Sequence, residues 1–239
     1  MKKLRNIILL LPLALSLGAC STDDKDINLS SIINNGDIDD IAKSFVYDAS
    51  MASNQLNAMA QKDGYSFDIR LESQILPDPS NVSRFYDVTL NGKGDATWAT
   101  VNELDVDGNI LNQYEALLEE STGTTYYKNG DNWEEIPATF PYAYSIQDLK
   151  GLLLVSGTYV PLLAITGVVK VRTVEINREC IKYTIPQEGE NDKLVITVDR
   201  ATQLLTHLTE IHYSSTSVSK NIYKMNAFRN SAPAVPEYK

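Results

Sequence analysis

The chain has 239 residues, of which 43% are hydrophobic, a formal net charge of −10 at pH 7, and two cysteines. The acidic balance argues against nucleic acid or anionic lipid headgroups as partners of the whole surface. Two cysteines cannot supply a disulfide framework, so the fold needs a hydrophobic core, for which this length is ample.

The first twenty residues follow the three-part plan of a secretory signal. A positive start consists of Lys2, Lys3 and Arg5. An apolar run over residues 7–17 follows, and Leu17-Gly18-Ala19-Cys20 ends it. This ending resembles the lipobox of bacterial lipoproteins, in which the cysteine receives a diacylglyceryl group. The resemblance implies a signal peptide over residues 1–19 and a lipid anchor on Cys20, and it leaves Cys180 without a disulfide partner.

Residues 20–37 are polar and acid-rich, which predicts a flexible tether. Apolar residues then recur every three or four positions, which predicts a long N-terminal helix. They are Ile38, Ile41, Phe45, Ala49, Ala52, Leu56 and Met59. Gly64 can end this helix.

After Gly64 the apolar residues alternate with polar ones, which predicts strands. The first meander is predicted at 65–72, 84–90, 95–104, 110–118 and 124–133, and the second at 168–176, 180–185, 193–199, 204–214 and 217–228. Hairpin turns are predicted at Asn91-Gly92, Asp107-Gly108 and Asn129-Gly130. Many antiparallel strands with one long helix indicate an α+β fold, and we expect a single domain over residues 38–239.

The segment between the two meanders, residues 152–169, contains no charged residue and is named here the apolar segment. Its length would suit a membrane-spanning helix, but Gly157 and Pro161 interrupt it. We expect two short helices buried under the sheet. Ordinary hydrophobic core explains such a segment, and the wall of a lipid pocket would need a segment that is just as apolar.

The order of elements is similar to that of the LolA/LppX-like superfamily of lipoproteins and lipoprotein carriers. Three stretches carry the resemblance: residues 126–133, 175–185 and 196–205. The sequence departs from the superfamily pattern at Gln203, where glycine is usual, and at Arg178, where glycine usually follows the asparagine.

The resemblance implies an open half-barrel, formed by a curved antiparallel sheet, whose concave face is covered by the helix and the helical insert and holds acyl chains. A cavity for acyl chains must be lined by apolar side chains without buried charge. The candidates are Tyr65, Phe67, Ile69, Leu71, Trp98, Trp133, Leu152, Leu153, Leu163 and Ile165.

The sequence offers no recognisable catalytic or metal-binding motif. His207, Glu210 and His212 lack metallopeptidase spacing, and in a strand the two histidines face opposite sides. Cys180, in mid-strand, is expected to be a small buried hydrophobe. We therefore expect neither enzymatic activity nor a cofactor.

Two functional hypotheses remain. The first is a lipid-anchored, extracytoplasmic protein that binds a lipid or another amphiphile in the half-barrel. The alternative is an envelope or cell-surface protein with a solid core that binds a protein or polymer. The membrane is either an outer membrane or the plasma membrane of a Gram-positive cell, and the sequence does not identify a protein partner.

Overall fold

The computed structural model describes residues 38–76, 84–135, 142–189 and 191–238. The predicted signal peptide, Cys20 and the tether lie outside these ranges. The helices are α1 (Ile38–Ser44), α2 (Ala49–Gln61) and α3 (Ile146–Gly151), with a 3-10 helix at Val160–Ala164. The strands of the first half are β1 (Tyr65–Leu76), β2 (Arg84–Lys93), β3 (Ala96–Leu104), β4 (Ile110–Glu119), β5 (Thr124–Asn129) and β6 (Asn132–Glu135). Those of the second half are β7 (Val169–Glu175), β8 (Arg178–Ile185), β9 (Lys193–Asp199), β10 (Leu205–Tyr213) and β11 (Val218–Arg229).

All eleven strands form one sheet in the order β6-β5-β4-β3-β2-β1-β11-β10-β9-β8-β7. Each half of the chain is an antiparallel meander, and the two meanders join where β1 pairs with β11. The sheet stays open, and the helices lie on its concave face. The predicted fold class, an α+β open half-barrel, is thereby confirmed.

The positions of β6 and β7 explain how the concave face is covered. These strands are consecutive in the chain but lie at opposite edges of the sheet. The connection between them must therefore cross the whole sheet, and it carries α3 and the apolar segment over the concave face. None of the helices in the described ranges is long and apolar enough to cross a membrane.

Two hydrophobic clusters lie on opposite faces of the sheet. The main cluster joins the concave face to residues of α1, α2, α3 and the apolar segment, including the fully buried Leu56, Leu149 and Leu153. The second cluster, on the convex face, contains Ala96, Trp98 and Leu117. It is covered by the C-terminal tail, residues 231–238, through Ala232, Val235 and Tyr238.

The predicted N-terminal helix is divided in two. Residues 45–48 are not helical, and Asp48 caps α2 by accepting hydrogen bonds from the backbone N–H groups of Ser50 and Met51. An aspartate cap satisfies donors that a new helix start leaves free. The spacing of apolar residues continues across the break because both helices face the same core.

The predicted strands are all present, and one predicted turn is displaced. Asn91-Gly92 lies inside β2, and the hairpin instead turns after Lys93 at Gly94, whose φ is +59°. Gly92 is required for packing, since a Cβ there would lie 2.2 Å from Cζ of Tyr65. The turn predicted at Asp107-Gly108 is confirmed, and the turn predicted at Asn129-Gly130 lies one residue later, at Gly130-Asp131 between β5 and β6.

Candidate functional site

The cover on the concave face, which consists of α3 and the apolar segment, is short and irregular. A capping box fixes the start of α3: the N–H of Asp148 donates to Oγ of Ser145 at 3.1 Å, and the N–H of Ser145 donates to Oδ2 of Asp148 at 3.0 Å. The chain then continues through turns to the 3-10 helix at Val160–Ala164, so only one of the two predicted helices exists, and it is a 3-10 helix. A cover with so few internal hydrogen bonds can open at a lower free energy than a long helix.

Seven of the ten predicted cavity residues lie together in the main cluster. Tyr65, Phe67, Ile69 and Leu71 are buried on the concave side of β1. Leu153 and Leu163 of the apolar segment are buried against the sheet, and Leu152 is half-buried beside them. Burying one such leucine contributes about 1.5–3 kcal/mol.

The structure does not bring the other three residues to this place. Ile165 is 42% exposed at the surface of the apolar segment. Trp98 and Trp133 belong to the second cluster, on the convex face under the C-terminal tail. Alternation along β3 and β6 points both indole rings away from the concave face.

Three polar contacts attach the apolar segment to the rest of the molecule. The N–H of Leu205 donates to the carbonyl oxygen of Leu153 at 2.8 Å. The N–H of Val155 donates to the hydroxyl of Tyr47 at 3.0 Å, and the hydroxyl of Tyr159 donates to Oε2 of Glu210 at 3.2 Å. Burial raises the pKa of Tyr47, and burial followed by the charge of Glu210 raises the pKa of Tyr159 to about 12. Both phenols are therefore neutral at physiological pH.

The turn between α1 and α2 lies next to the apolar segment and to the edge strand β7. Nζ of Lys170 in β7 donates to the carbonyl oxygen of Phe45 at 3.0 Å. Val46, the next residue, is 76% exposed. Together with the exposed Ile165, it leaves apolar side chains in solvent along the margin of the cover.

Tyr183 brings a polar hydroxyl group into the otherwise apolar interface between the sheet and the apolar segment. Its side chain is 1% exposed, and its hydroxyl has no hydrogen-bond partner among the described residues. Burial raises the pKa of the phenol, so it remains a neutral donor. Nζ of Lys170 lies 5.5 Å from the centre of its ring. An unpaired buried hydroxyl costs about 1–3 kcal/mol, so a fold that keeps one has an unused hydrogen-bonding position at this point.

A polar row lies at the far end of the same face. Glu210 accepts from Tyr159 and lies 3.3 Å from Nε2 of His212. Nδ1 of His212 lies 3.2 Å from Oδ2 of Asp192. The hydrogen bonds with Asp192 and then Glu210 raise the pKa of His212. The contacts of Glu210 and His212 with Tyr159 and Asp192 were not predicted from the sequence, although the spacing of two between Glu210 and His212 places both on one face of a strand.

His207 lies on the convex side of β10, as the spacing from His212 predicts, and its Nε2 lies 2.7 Å from Oγ1 of Thr209. Cys180 is fully buried, and burial raises the pKa of its thiol to about 12. Within the described ranges, no group of three or more His, Cys, Asp or Glu side chains is arranged to hold a metal ion.

A small cavity of about 100 Å³ lies near the end of α2, beside Tyr65, Thr97, Glu120 and Lys150. Pockets for drug-sized ligands usually measure about 300–1,000 Å³. Its polar groups are already bonded to each other, since Thr97 donates to Glu120 at 2.5 Å and Lys150 donates to the same oxygen at 2.7 Å. This cavity does not accommodate an alkyl chain.

No family model matches the sequence, and no curated protein matches it. Solved structures do match. MucB in complex with MucA(peri) matches at 12% identity with a TM-score of 0.36, over 80% of this chain and 57% of that chain, so this chain spans little more than half the length of MucB. LprF from Mycobacterium bovis matches at 12% identity with a TM-score of 0.41, over 79% of this chain and 95% of that chain.

The lipoprotein LppX from Mycobacterium tuberculosis matches at 12% identity with a TM-score of 0.32, over 75% of this chain and 96% of that chain. At 12% identity the likeness concerns the fold alone.

Proposed function

We propose that this chain binds a lipid or a related amphiphile between the concave face of the sheet and the apolar segment. The observation that carries this proposal is the hydroxyl of Tyr183, which is buried and unpaired within an otherwise apolar interface. A carbonyl or hydroxyl oxygen of an amphiphile would complete its hydrogen bonding, and the alkyl chain would lie among the side chains of the main cluster.

The alkyl chain replaces protein side chains. Lifting the apolar segment gives up three hydrogen bonds of about 1 kcal/mol each and the burial of Leu153, Val155 and Leu163, in total about 8–12 kcal/mol. An acyl chain of about sixteen carbons regains roughly 0.8 kcal/mol per buried CH₂, about 10 kcal/mol. The free energy lost by lifting the segment and the free energy gained by burying the acyl chain are therefore similar. Because each further CH₂ group adds to the gain, affinity rises steeply with chain length.

We further propose that the protein works outside the cytoplasm as a lipoprotein. In this proposal residues 1–19 are removed, Cys20 carries the lipid, residues 20–37 are a tether, and residues 38–239 form one binding domain. The role is binding rather than catalysis. Because a lipid anchor prevents diffusion through the periplasm, the protein acts as a receptor or presenter at the membrane.

The second candidate function is an interaction protein with a solid core that binds a protein or polymer. It is favoured by the filled state of the concave face, since Leu149, Leu153 and Ile146 are fully buried there. The two functions differ in one property, the ability of the folded protein to take up an alkyl chain.

Replacement of Tyr183 by phenylalanine tests the amphiphile proposal. Removing an unpaired hydroxyl leaves the free energy of unfolding unchanged or raises it, because no protein hydrogen bond is lost. Affinity for a fluorescent sixteen-carbon fatty acid should fall by up to about tenfold, the value of one neutral hydrogen bond. An eight-carbon fatty acid should compete at least a thousandfold less well than a sixteen-carbon one, by roughly 0.8 kcal/mol per CH₂.

Tyr223→Phe is the matched control. Tyr223 lies in the same cluster, but its hydroxyl donates to the carbonyl oxygen of Leu205 at 3.1 Å. This variant should lose stability and keep the affinity of the remaining folded protein. If neither the wild type nor either variant takes up the fatty acid while folded, the amphiphile proposal is wrong and the solid-core function stands.

A further inference from the structure

The convex face of the second meander carries a group of lysines. Lys182, Thr197, His207 and Lys224 are consecutive partners across β8, β9, β10 and β11. Lys193 pairs with Ile211 on the same face. Burial lowers the pKa of His207, and the charges of all three lysines lower it further against the opposing effect of Glu175, as expected for lysines on the same face of the sheet as His207.

These lysines make no ion pair with any described residue, whereas neighbouring cations do. Lys220 pairs with Glu72 at 3.6 Å, and Arg70 pairs with Asp87 at 2.8 Å. Lys193 and Lys224 are exposed, and Lys182 is half-buried. The lysines thus form a local excess of positive charge on a chain whose formal charge is −10.

Apolar side chains lie among the lysines. Val171 pairs with Lys182 and is 38% exposed, and Tyr213 is 50% exposed. Ile211 lies between Lys193 and Lys220. We name this surface the lysine face: Lys182, Lys193, Lys224, Val171, Ile211 and Tyr213.

We propose that the lysine face docks on an anionic phospholipid bilayer. The interfacial region of a bilayer accepts both components, since lysine ammonium groups reach phosphates while valine, isoleucine and tyrosine side chains enter the headgroup boundary. The acidic groups elsewhere do not prevent this, because at physiological salt the Debye length is about 8 Å and charges farther away are screened.

An anionic bilayer fits this surface better than an acidic protein does. The face is the surface of a β-sheet and presents rows of side chains over an extended area, which suits a bilayer surface. Docking through it places the concave face away from the bilayer. The lysine face shares no residue with the amphiphile site, so the two proposals stand or fall separately.

Vesicle binding tests the inference. The full chain with Cys20→Ser, which cannot be lipidated, is mixed with vesicles of phosphatidylcholine alone or with about one third phosphatidylglycerol. Anionic lipid should raise the partition coefficient of this chain. Introducing K193E/K224E into this chain should lower its partition coefficient on the anionic vesicles at least about 25-fold, because each lysine near the surface contributes about fivefold. High salt should remove the difference.

The matched control is K62E/K93E, which makes the same change of charge at two exposed lysines outside the lysine face. This control should keep most of the vesicle binding. Residues 1–19 are present in every chain, so any binding that they contribute is the same in all of them. Equal binding by the two double variants, or equal binding of the parent chain to both kinds of vesicle, would overturn the proposal. Uptake of a sixteen-carbon fatty acid by K193E/K224E should be unchanged in either case.

Discussion

His212 lies between two carboxylates, and this position couples the stability of the polar row to pH. Hydrogen bonds with Asp192 and Glu210 raise the pKa of the imidazole in the folded protein. A raised pKa means that the charged form stabilises the fold. This contribution is complete below the unfolded pKa of about 6.5 and is lost as the pH rises through the folded pKa.

His212→Gln should therefore be destabilising at pH 5 and nearly neutral at pH 8.5, as measured by urea unfolding. The loss at pH 5 should stay below about 1 kcal/mol because the side chain is 47% exposed and its ion pairs are screened. His207→Gln is the contrasting control. Burial lowers the pKa of His207, so protonation of this imidazole at pH 5 destabilises the folded protein. His207→Gln removes this cost and should raise the free energy of unfolding at pH 5. A loss in His212→Gln that is the same at both pH values would contradict this assignment.

Three residues of the candidate site show how far the sequence predicts the positions of single side chains. The alternation of β1 correctly placed Tyr65 and Phe67 in the main cluster, because strand periodicity assigns side chains to faces. The unpaired hydroxyl of Tyr183 could not be predicted, because it depends on what the crossing connection places opposite β8. No local pattern in the sequence contains that information.

The turn between β9 and β10 is tied to the start of α2 by one side chain. Gln203 has φ of +60°, a left-handed conformation that favours glycine. Its Oε1 accepts a hydrogen bond from the N–H of Asp48, the N-cap of α2. Gln203 therefore gives up the easier backbone conformation that glycine would have and gains a contact between two elements.

Two substitutions at Gln203 separate these effects. Gln203→Ala should cost about 1–2 kcal/mol, because the hydrogen bond to Asp48 is lost and the backbone conformation remains unfavourable. Gln203→Gly should cost about 1 kcal/mol less, because glycine adopts this conformation freely. The free energies of unfolding in urea measure both. If the glycine variant were the less stable of the two, the left-handed conformation would not be the source of the difference.

At the level of elements, strands were predicted better than helices. Alternation and hairpin dipeptides located all eleven strands, since both are local properties. The division of the N-terminal helix at residues 45–48 was not predicted, because the apolar spacing runs through it and the break is fixed by distant contacts. These are the bonds from Lys170 to Phe45 and from Val155 to Tyr47.

For the whole molecule, the C-terminal tail closes the convex face of the first meander. Ala232, Val235 and Tyr238 pack on the second cluster, and the N–H of Ala232 donates to the carbonyl oxygen of Asp63 at 3.1 Å. The prediction that Trp98 and Trp133 line the concave cavity is wrong because both lie on the convex face under this tail. The sequence of an apolar aromatic residue does not indicate which face of the sheet it occupies.

Removal of residues 231–239 should expose the indole of Trp98, which is 6% exposed in the intact chain. We expect a red shift of tryptophan emission, a loss of about 2–4 kcal/mol in the free energy of unfolding from the uncovered apolar side chains, and unchanged uptake of fatty acid. Ala234→Ser, at an exposed position of the tail, is the control and should change none of these. Unchanged emission after truncation would show that the tail does not cover this cluster.

Native mass spectrometry tests most directly whether the concave face holds an amphiphile, as we propose. The domain without Cys20, which cannot be lipidated, is secreted by its native host, purified without detergent, and examined intact and after organic extraction. We expect a stoichiometric amphiphile that is lost in Leu163→Gln, at a buried position of the apolar segment, and retained in Ile165→Gln, at an exposed one. A folded wild-type protein with no bound amphiphile, which also takes up none when lipids are offered, would contradict the account.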